Sequence, residues 1–234
     1  MERKAPGEPV TIADREAERM IAKQLGFLRP SARFVVEEAC ALDPALLDDL
    51  PRGEAWIVDP IDGTANYAAG RTPFAMMAAP VCEGETVAAT ILDPVSGNVF
   101  RADRGQGAWM NKKRIAPGAA NTLELATGIV SGFQRPAEWE TGTVRLTAQA
   151  KNIYPTQRCA GAEYPLVARG ERDFALHWRS LAWDHAPGAL IVEEAGGAGC
   201  MVGRGPYRPV EHGKAVLVAR NPEIWDQASA AMGV

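Results

Sequence analysis

Two aspartates beside a glycine–threonine pair form the part of this sequence best suited to chemistry. The apolar run 56–58 ends at Asp59, and Asp62 follows three residues later, directly before Gly63-Thr64. Because Pro60 fixes φ and has no N–H to donate, we expect a strand to end at this point. Backbone N–H groups in a Gly-Thr turn can bind an anion, and two acids beside an anion require a cation between them.

The cation that best matches these groups is Mg²⁺. Carboxylate, carbonyl and water oxygens are its preferred ligands, and it commonly bridges protein carboxylates and a substrate phosphate. A D-x-x-D spacing taken alone is more often an acidic turn after a strand. The complete string from Asp59 to Thr64, D-P-I-D-G-T, favours a metal and phosphate site instead.

Acidic residues stand at two further places that suit a site. Asp184 is at the expected N-cap of a helix over 184–195, which Gly196-Gly197 ends. Most aspartates at helix starts only cap the helix. Glu37-Glu38 closes the strand-like run 34–36 and, taken alone, is an ordinary strand end.

Together these segments resemble the inositol monophosphatase family of Mg²⁺-dependent, lithium-sensitive phosphatases. The matching strings are Val36-Glu37-Glu38, the run from Trp56 to Tyr67, and Trp183-Asp184 through Gly197, of which the last two resemble the family's two signatures. Segments 10–14 and 104–111 add to the likeness, which extends from about Val10 onward. The resemblance implies an α/β fold layered as an α-β-α-β-α sandwich and a phosphatase that acts on a small phosphorylated metabolite.

The resemblance also implies a role for each matched residue. One Mg²⁺ is held by Glu37, Asp59 and the Ile61 carbonyl, and a second by Asp59, Asp62 and Asp184, so that Asp59 bridges. Thr64 and Asp14 form a pair that positions the attacking water, and Glu37 assists beside a weaker third ion. The backbone N–H groups of Gly63 and Thr64 receive the phosphate oxygens, and Asp62 and Asp184 are further residues that bind the substrate. Without the resemblance, Asp14 is only an acid near a helix start.

Substrate choice is where the sequence departs from the family. Inositol-specific members tend to have a glutamate seven residues before the second-signature aspartate, and here that position is His177. A neutral imidazole offers one donor and one acceptor, whereas a carboxylate only accepts. Glu163 could supply the acid from another direction, and a half-buried strand histidine is the alternative for His177. We therefore expect inositol 1-phosphate to be a substrate without being clearly the best one.

Several functions remain open at this point. The same chemistry could act on a small polyol or sugar phosphate, histidinol phosphate, fructose 1,6-bisphosphate or a nucleotide phosphate. A regulatory or partner-binding protein with a vestigial phosphatase site is the alternative from another class. None of the implied ligand positions is lost, which favours an enzyme.

Composition excludes several other classes of protein. The net charge of −4 argues against nucleic acid as the main partner. The four cysteines are scattered without a C-x-x-C pair, so neither a zinc site nor a disulfide framework is indicated. No apolar run approaches the ~18 residues that span a bilayer, and residues 1–8 do not resemble a secretory signal. We expect a cytoplasmic protein without membrane contact, and a homodimer.

The order of elements predicts two parts with the site at their junction. Residues 1–9 are expected to be mobile, 10–120 to form an α+β subdomain and 121–234 an α/β subdomain. Only about nine residues precede the family-like helix start at 10–14, where members of the family usually carry a further helix, so the resemblance leads us to expect an N-terminus shorter than the family's. The expected elements are a helix after Thr11, an antiparallel meander over 74–104, strands at 126–131, 173–178 and 215–219, and helices over 146–150, 164–168, 184–195 and 222–232.

Overall fold

The computed structural model describes residues 2–3, 9–10, 12–48, 50–118, 122–203, 205–211 and 215–234. The strands are β1 Glu2–Arg3, β2 Pro9–Val10, β3 Arg33–Val36, β4 Glu54–Asp62, β5 Ala75–Cys82, β6 Glu85–Thr86, β7 Ala88–Leu92, β8 Val99–Asp103, β9 Gly107–Met110, β10 Lys113–Ile115, β11 Thr127–Val130, β12 Asn152–Tyr154, β13 Phe174–His177, β14 Ala198–Met201, β15 Gly205–Pro206 and β16 Val216–Ala219. The α-helices are α1 Ile12–Leu28, α2 Glu37–Leu42, α3 Thr64–Ala68, α4 Glu140–Gln149, α5 Ala160–Ala168, α6 Ala182–Glu194 and α7 Pro222–Met232.

Two large mixed sheets carry these strands. The first has the order β10-β9-β8-β7-β5-β4-β3, with β6 paired to β5, and only its β3–β4 pair is parallel. The predicted antiparallel meander is confirmed by β5, β7 and β8, which pair in that order. The second has the order β12-β11-β13-β16-β14-β15, with β11 parallel to both of its neighbours.

Helices cover both sheets and fill the space between them. Helix α1 packs against β4, while α5 and α6 contact strands of both sheets. Helix α7 packs on β16 and also contacts α4. Between Ala182 and Val192 every residue of α6 except Asp184 is buried, as expected for a helix enclosed on all sides. These layers confirm the predicted α-β-α-β-α arrangement. The division of the chain into two subdomains stays a prediction.

Helices α4 and α5 begin earlier than the sequence pattern indicates, as does α6, which begins at Ala182. Helix α4 starts at Glu140 and α5 at Ala160. Their first turns contain few large apolar residues, so the apolar spacing that indicates a helix is absent from that part of the sequence. Helices α5 and α6 pack closely because Gly188 has no side chain. A Cβ there would lie 2.2 Å from the Tyr164 ring.

At the N-terminus, β1 and β2 pair antiparallel, and Thr11, the expected start of α1, lies outside the described residues, as do residues 1 and 4–8. Among the described residues, no helix is both long and apolar enough to cross a membrane. All four cysteines are free; Cys40 and Cys159 are buried, while Cys82 and Cys200 are half-buried.

Candidate active site

A bulge in β4 brings Asp59 and Asp62 to the same side of the first sheet. The strand does not end at Pro60, as the sequence predicts, but continues to Asp62. Between the two aspartates, three residue steps on β4 correspond to two on β5, so β4 holds one extra residue. Residues three apart on a regular strand face opposite sides of the sheet, and the extra residue in β4 instead places Asp59 and Asp62 on the same side. The Ile61 N–H donates to Asp59 Oδ1 at 3.0 Å and stabilises the bulge.

The third carboxylate comes from the first turn of α6. Asp184 is not the N-cap; the cap position is Leu181, and Asp184 is the third helical residue. The helix begins two residues before the predicted start, and this turns the Asp184 carboxylate toward β4. Oxygens of Asp59, Asp62 and Asp184 all lie within 4.8 Å of one another. The structure thus brings together three acids from two distant parts of the chain.

Burial and mutual repulsion act on these carboxyl groups. Burial, followed by the charges of Glu37, Asp62 and Asp184, raises the pKa of Asp59 well above its ordinary value. Burial also raises the pKa of Asp62 from 3.8 to about 7, although the Gly161 N–H donates to its Oδ2 at 2.5 Å. Three acids in such a place are stable as anions only beside a cation. A donor set made only of hard oxygens fits Mg²⁺, and Glu37 and Ile61 line the same pocket.

Metal binding is expected to depend on pH through Asp62. Its folded pKa is raised, so its contribution to stability is greatest below pH 4 and is lost as the pH rises toward about 7. A divalent cation bound here would require the ionised carboxylate and would displace that proton below pH 7, which would weaken its apparent affinity about tenfold per pH unit for one proton. We therefore expect a given Mg²⁺ concentration to raise the Tm more at pH 8 than at pH 6, as measured by differential scanning calorimetry. An equal or larger rise at pH 6 contradicts this, and Asp62→Asn should flatten the dependence.

Gly63 connects β4 to α3 in a conformation that favours glycine. Its φ is +83°, and a Cβ there would lie 3.1 Å from the Pro73 carbonyl oxygen and 3.2 Å from the Cys159 Cβ. The chain therefore turns sharply at Gly63 and begins α3 at Thr64 beside the three acids.

Thr64 and Asp14 meet at the edge of the pocket. The Thr64 hydroxyl donates to the Ile61 carbonyl at 2.8 Å and lies 3.4 Å from Asp14 Oδ1. Asp14 is buried, whereas the other residues of α1 are half-buried or exposed. The two residues implied as a pair are thus adjacent, although their catalytic role stays a prediction.

Glu163 and His177 lie together on another wall of the pocket. Glu163 is 1% exposed, and its Oε1 accepts hydrogen bonds from the Thr156 hydroxyl at 2.7 Å and the Gln157 N–H at 2.5 Å. Its Oε2 lies 3.8 Å from His177 Nε2, which has no hydrogen-bond partner among the described residues. Burial lowers the pKa of His177, so a neutral imidazole is favoured. Both residues line the pocket, and the Glu163 carboxylate and the His177 Nε2 atom are buried in its wall.

Several pocket residues were not singled out from the sequence. Ser131, Phe133, Arg158 and Arg179 line the same pocket. His185 is buried; its Nε2 contacts the Arg179 carbonyl oxygen at 2.6 Å, and its Nδ1 contacts the Tyr164 hydroxyl at 2.7 Å. The loops after β11, β12 and β13 bring the first four of these residues to the pocket, and no spacing in the sequence marks them, whereas His185 lies in α6 directly after Asp184.

Glu194 links the second signature to the family-like segment at 104–111. Its carboxylate accepts hydrogen bonds from the Gly105 N–H at 2.7 Å and the Gly107 N–H at 2.8 Å. Glu194 therefore acts as an anchor for this turn and not as part of the acid cluster.

Comparison with known proteins agrees with this geometry. The sequence profile of the inositol monophosphatase family matches residues 2–232. An inositol-1-monophosphatase of Rhizobium meliloti is 33% identical over 91% of this chain and 79% of its own length. A fructose-1,6-bisphosphatase/inositol-1-monophosphatase of Thermotoga maritima is 32% identical over 80% of this chain and 69% of its own. The crystal structure of extragenic suppressor protein suhB from Bartonella henselae superposes with a TM-score of 0.85 at 28% identity, covering 99% of this chain and 87% of that one. The chain belongs to the inositol monophosphatase family.

Proposed function

We propose that this protein is a Mg²⁺-dependent phosphomonoesterase that hydrolyses a small polyol or sugar phosphate. Its class, phosphoric monoester hydrolase, follows from the family and from relatives named inositol-1-monophosphatase. The metal dependence in this proposal rests on the carboxylate oxygens of Asp59, Asp62 and Asp184, which lie within 4.8 Å of one another in the pocket that Thr64 also lines.

In this proposal each residue near the cluster has a distinct task. Glu37, Asp59 and the Ile61 carbonyl hold one ion, and Asp59, Asp62 and Asp184 hold the other. Two Mg²⁺ ions held by these residues would supply charge neutralisation for the phosphoryl oxygens and a water of lowered pKa. Backbone N–H groups of Gly63 and Thr64 hold the phosphate. The Thr64 hydroxyl, Asp14 and Glu37 orient the water for in-line attack.

The substrate class rests on the remaining wall of the pocket. Glu163 and His177 offer hydrogen bonds to the hydroxyl groups of a polyol or sugar. The names of the Rhizobium meliloti and Thermotoga maritima relatives support inositol and fructose phosphates as the first compounds to test. Histidinol phosphate and nucleotide phosphates remain alternatives for the same chemistry. We further propose a cytoplasmic homodimer that Li⁺ inhibits.

The test is phosphate release from a panel of phosphorylated metabolites with Mg²⁺. We expect inositol 1-phosphate to be hydrolysed, without a kcat/KM more than about a hundredfold above every other compound, which corresponds to ~2.7 kcal/mol. The reason is that His177 replaces an acceptor-only carboxylate. A larger advantage would show that His177 does not weaken inositol selection. The same assay with LiCl should show inhibition that is uncompetitive with substrate.

A regulatory protein with a vestigial site is the second candidate. It is supported by the Bartonella henselae structure, whose description is extragenic suppressor protein and not an activity. The intact acid cluster favours the enzyme. Absence of phosphate release from the whole panel, together with a specific partner captured from cell extract, would favour the regulatory role.

A further inference from the structure

We propose that His185 is a positioning residue for the metal site, because it fixes the loop between β13 and α6 and, through that loop, the carboxylate of Asp184. This inference rests on the proposed function, in which Asp184 is a metal ligand. Both ring nitrogens of His185 are bonded to protein groups. His185 therefore acts through its neighbours and not as a ligand itself.

The imidazole of His185 joins three segments of the chain. The ring is 2% exposed, and burial favours its neutral form, which has one donor and one acceptor. The Arg179 carbonyl oxygen, 2.6 Å from Nε2, can only accept, so Nε2 carries the proton. Nδ1 then accepts from the Tyr164 hydroxyl at 2.7 Å. His185 thus connects α6 to α5 on one side and to the loop after β13 on the other.

Tyr164 provides a fixed end for this chain of hydrogen bonds. It is fully buried in α5, and its ring packs against the backbone of α6 at Gly188. The His177 ring stacks on it, with ring centroids 5.5 Å apart and 15° between the planes. Close packing of this kind restricts the ring and holds its hydroxyl toward His185.

The loop between β13 and α6 leads directly into the helix that carries Asp184. Leu181, at the N-cap position, has no polar side chain with which to cap α6. The Ser180 hydroxyl donates to the Glu211 carbonyl at 3.1 Å and so ties the loop to a segment outside α6. The bond from His185, by contrast, is made by α6 itself, one residue after Asp184, and it defines how the loop enters the helix.

Arg179, which is held by its carbonyl group, also approaches Asp184 with its side chain. Its Nη2 atom is 4.0 Å from Asp184 Oδ2, at the outer limit of an ion pair. Its guanidinium carbon lies 5.5 Å from the centre of the Phe133 ring, a cation–π distance. If the loop moved, the guanidinium could make direct contact with the carboxylate that the proposed metal requires. The hydrogen bond from His185 therefore fixes this charge relative to Asp184 as well as the start of the helix.

The test uses two amide side chains that differ in reach. Glutamine can place an N–H where His185 Nε2 lies, whereas asparagine reaches only the position of Nδ1 and loses the bond to the Arg179 carbonyl. Calorimetric titration with Mg²⁺ gives the Kd, and phosphate release gives the Mg²⁺ concentration for half-maximal rate. We expect His185→Asn to raise both about tenfold or more, the usual effect of losing a group that orients a metal ligand, and His185→Gln to stay within about threefold of wild type. At saturating Mg²⁺, kcat should remain close to that of wild type in both variants.

Ile191→Val separates positioning from a general loss of stability. Ile191 is fully buried further along α6, so this variant loosens the packing of the helix without touching the loop. Its Kd for Mg²⁺ should match that of wild type even where its Tm falls as far as that of His185→Asn. A Kd that rises in Ile191→Val as much as in His185→Asn would show that the effect is only structural, and the inference would fail. If His185→Asn does not fold, His185→Phe, which fills the space of the ring without its nitrogens, replaces it with the same expected result.

The remaining outcomes separate this inference from the proposed function. Phosphate release with equal Kd values in wild type, His185→Asn and His185→Gln would overturn the role of His185 and leave the phosphatase intact. A glutamine variant as weak as the asparagine variant would also overturn it. If no compound is hydrolysed, the proposed function fails, and the calorimetric titration decides. Weaker Mg²⁺ binding by His185→Asn, but not by His185→Gln, then still supports the positioning role, whereas no binding by the wild type overturns it.

Discussion

Asp59→Asn is expected to reduce Mg²⁺-dependent phosphate release by roughly a thousandfold or more, and Asp184→Asn to have a similar effect. The proposed bridging ligand is the most buried of the three clustered aspartates, 2% exposed, and an amide has no charge to offer a cation. Loss of a metal ligand removes both the charge neutralisation and the activated water, which together supply most of the rate enhancement in two-metal hydrolysis. The measurement is the initial rate across a range of Mg²⁺ concentrations.

The same variant should keep its fold. Because burial and neighbouring acids raise the pKa of Asp59, its ionised form destabilises the metal-free protein near pH 7. Asparagine has nearly the same shape without that charge, so the Tm without metal should be unchanged or higher, while the rise produced by Mg²⁺ is lost. Glu193→Gln is the control, since Glu193 is a half-buried acid on α6 outside the cluster, and burial raises its pKa to about 7. Full turnover by purified Asp59→Asn would contradict the two-metal proposal.

Local sequence patterns predicted the main strands and helices, and the resemblance to the family implied the layers and the set of candidate ligands. The meander over 74–104 follows from apolar runs separated by turn residues, and α6 from a continuous apolar helix that ends in two glycines. The string D-P-I-D-G-T is informative because a site for a metal ion and a phosphate accounts for all of its polar residues together. The layered fold and the family are confirmed, whereas the roles of the site residues stay predictions.

Features that depend on pairing between distant segments could not be predicted. The bulge at Asp59 is defined by the register of β4 against β5, and Pro60 alone indicated a strand end. Asp184 was predicted to be an N-cap because the start of a helix is poorly defined by its apolar period. Arg158 and Arg179 become neighbours of one pocket only when two loops, after β12 and after β13, meet. Tertiary contacts decide each of these positions.

Thr64→Ala is expected to lower kcat about a hundredfold or more, the usual range for loss of one positioned group, with a smaller change in KM. The reason is that the hydroxyl is fixed between two acceptors, Asp14 Oδ1 at 3.4 Å and the Ile61 carbonyl at 2.8 Å, at the edge of the acid cluster. Thr64→Ser keeps the hydroxyl and serves as the control. It should retain most of the activity if the hydroxyl, and not the methyl group, is what matters.

Asp14→Asn distinguishes the two partners of that hydroxyl. If Thr64 works with Asp14 to orient the water, Asp14→Asn should lower kcat to a similar extent, and the double variant should be no worse than the poorer single variant. If Thr64 instead works through the Ile61 carbonyl, which we propose as a metal ligand, Asp14→Asn should have little effect, and Thr64→Ala should shift the Mg²⁺ concentration required for half-maximal rate. A double variant whose loss equals the product of two large single losses would show that the residues act independently. The Thr64 hydroxyl lies closer to the Ile61 carbonyl than to Asp14, so the Mg²⁺ dependence of Thr64→Ala is the measurement that separates these cases. A change that affects only the attacking water lowers kcat but leaves the Mg²⁺ concentration for half-maximal rate unaltered.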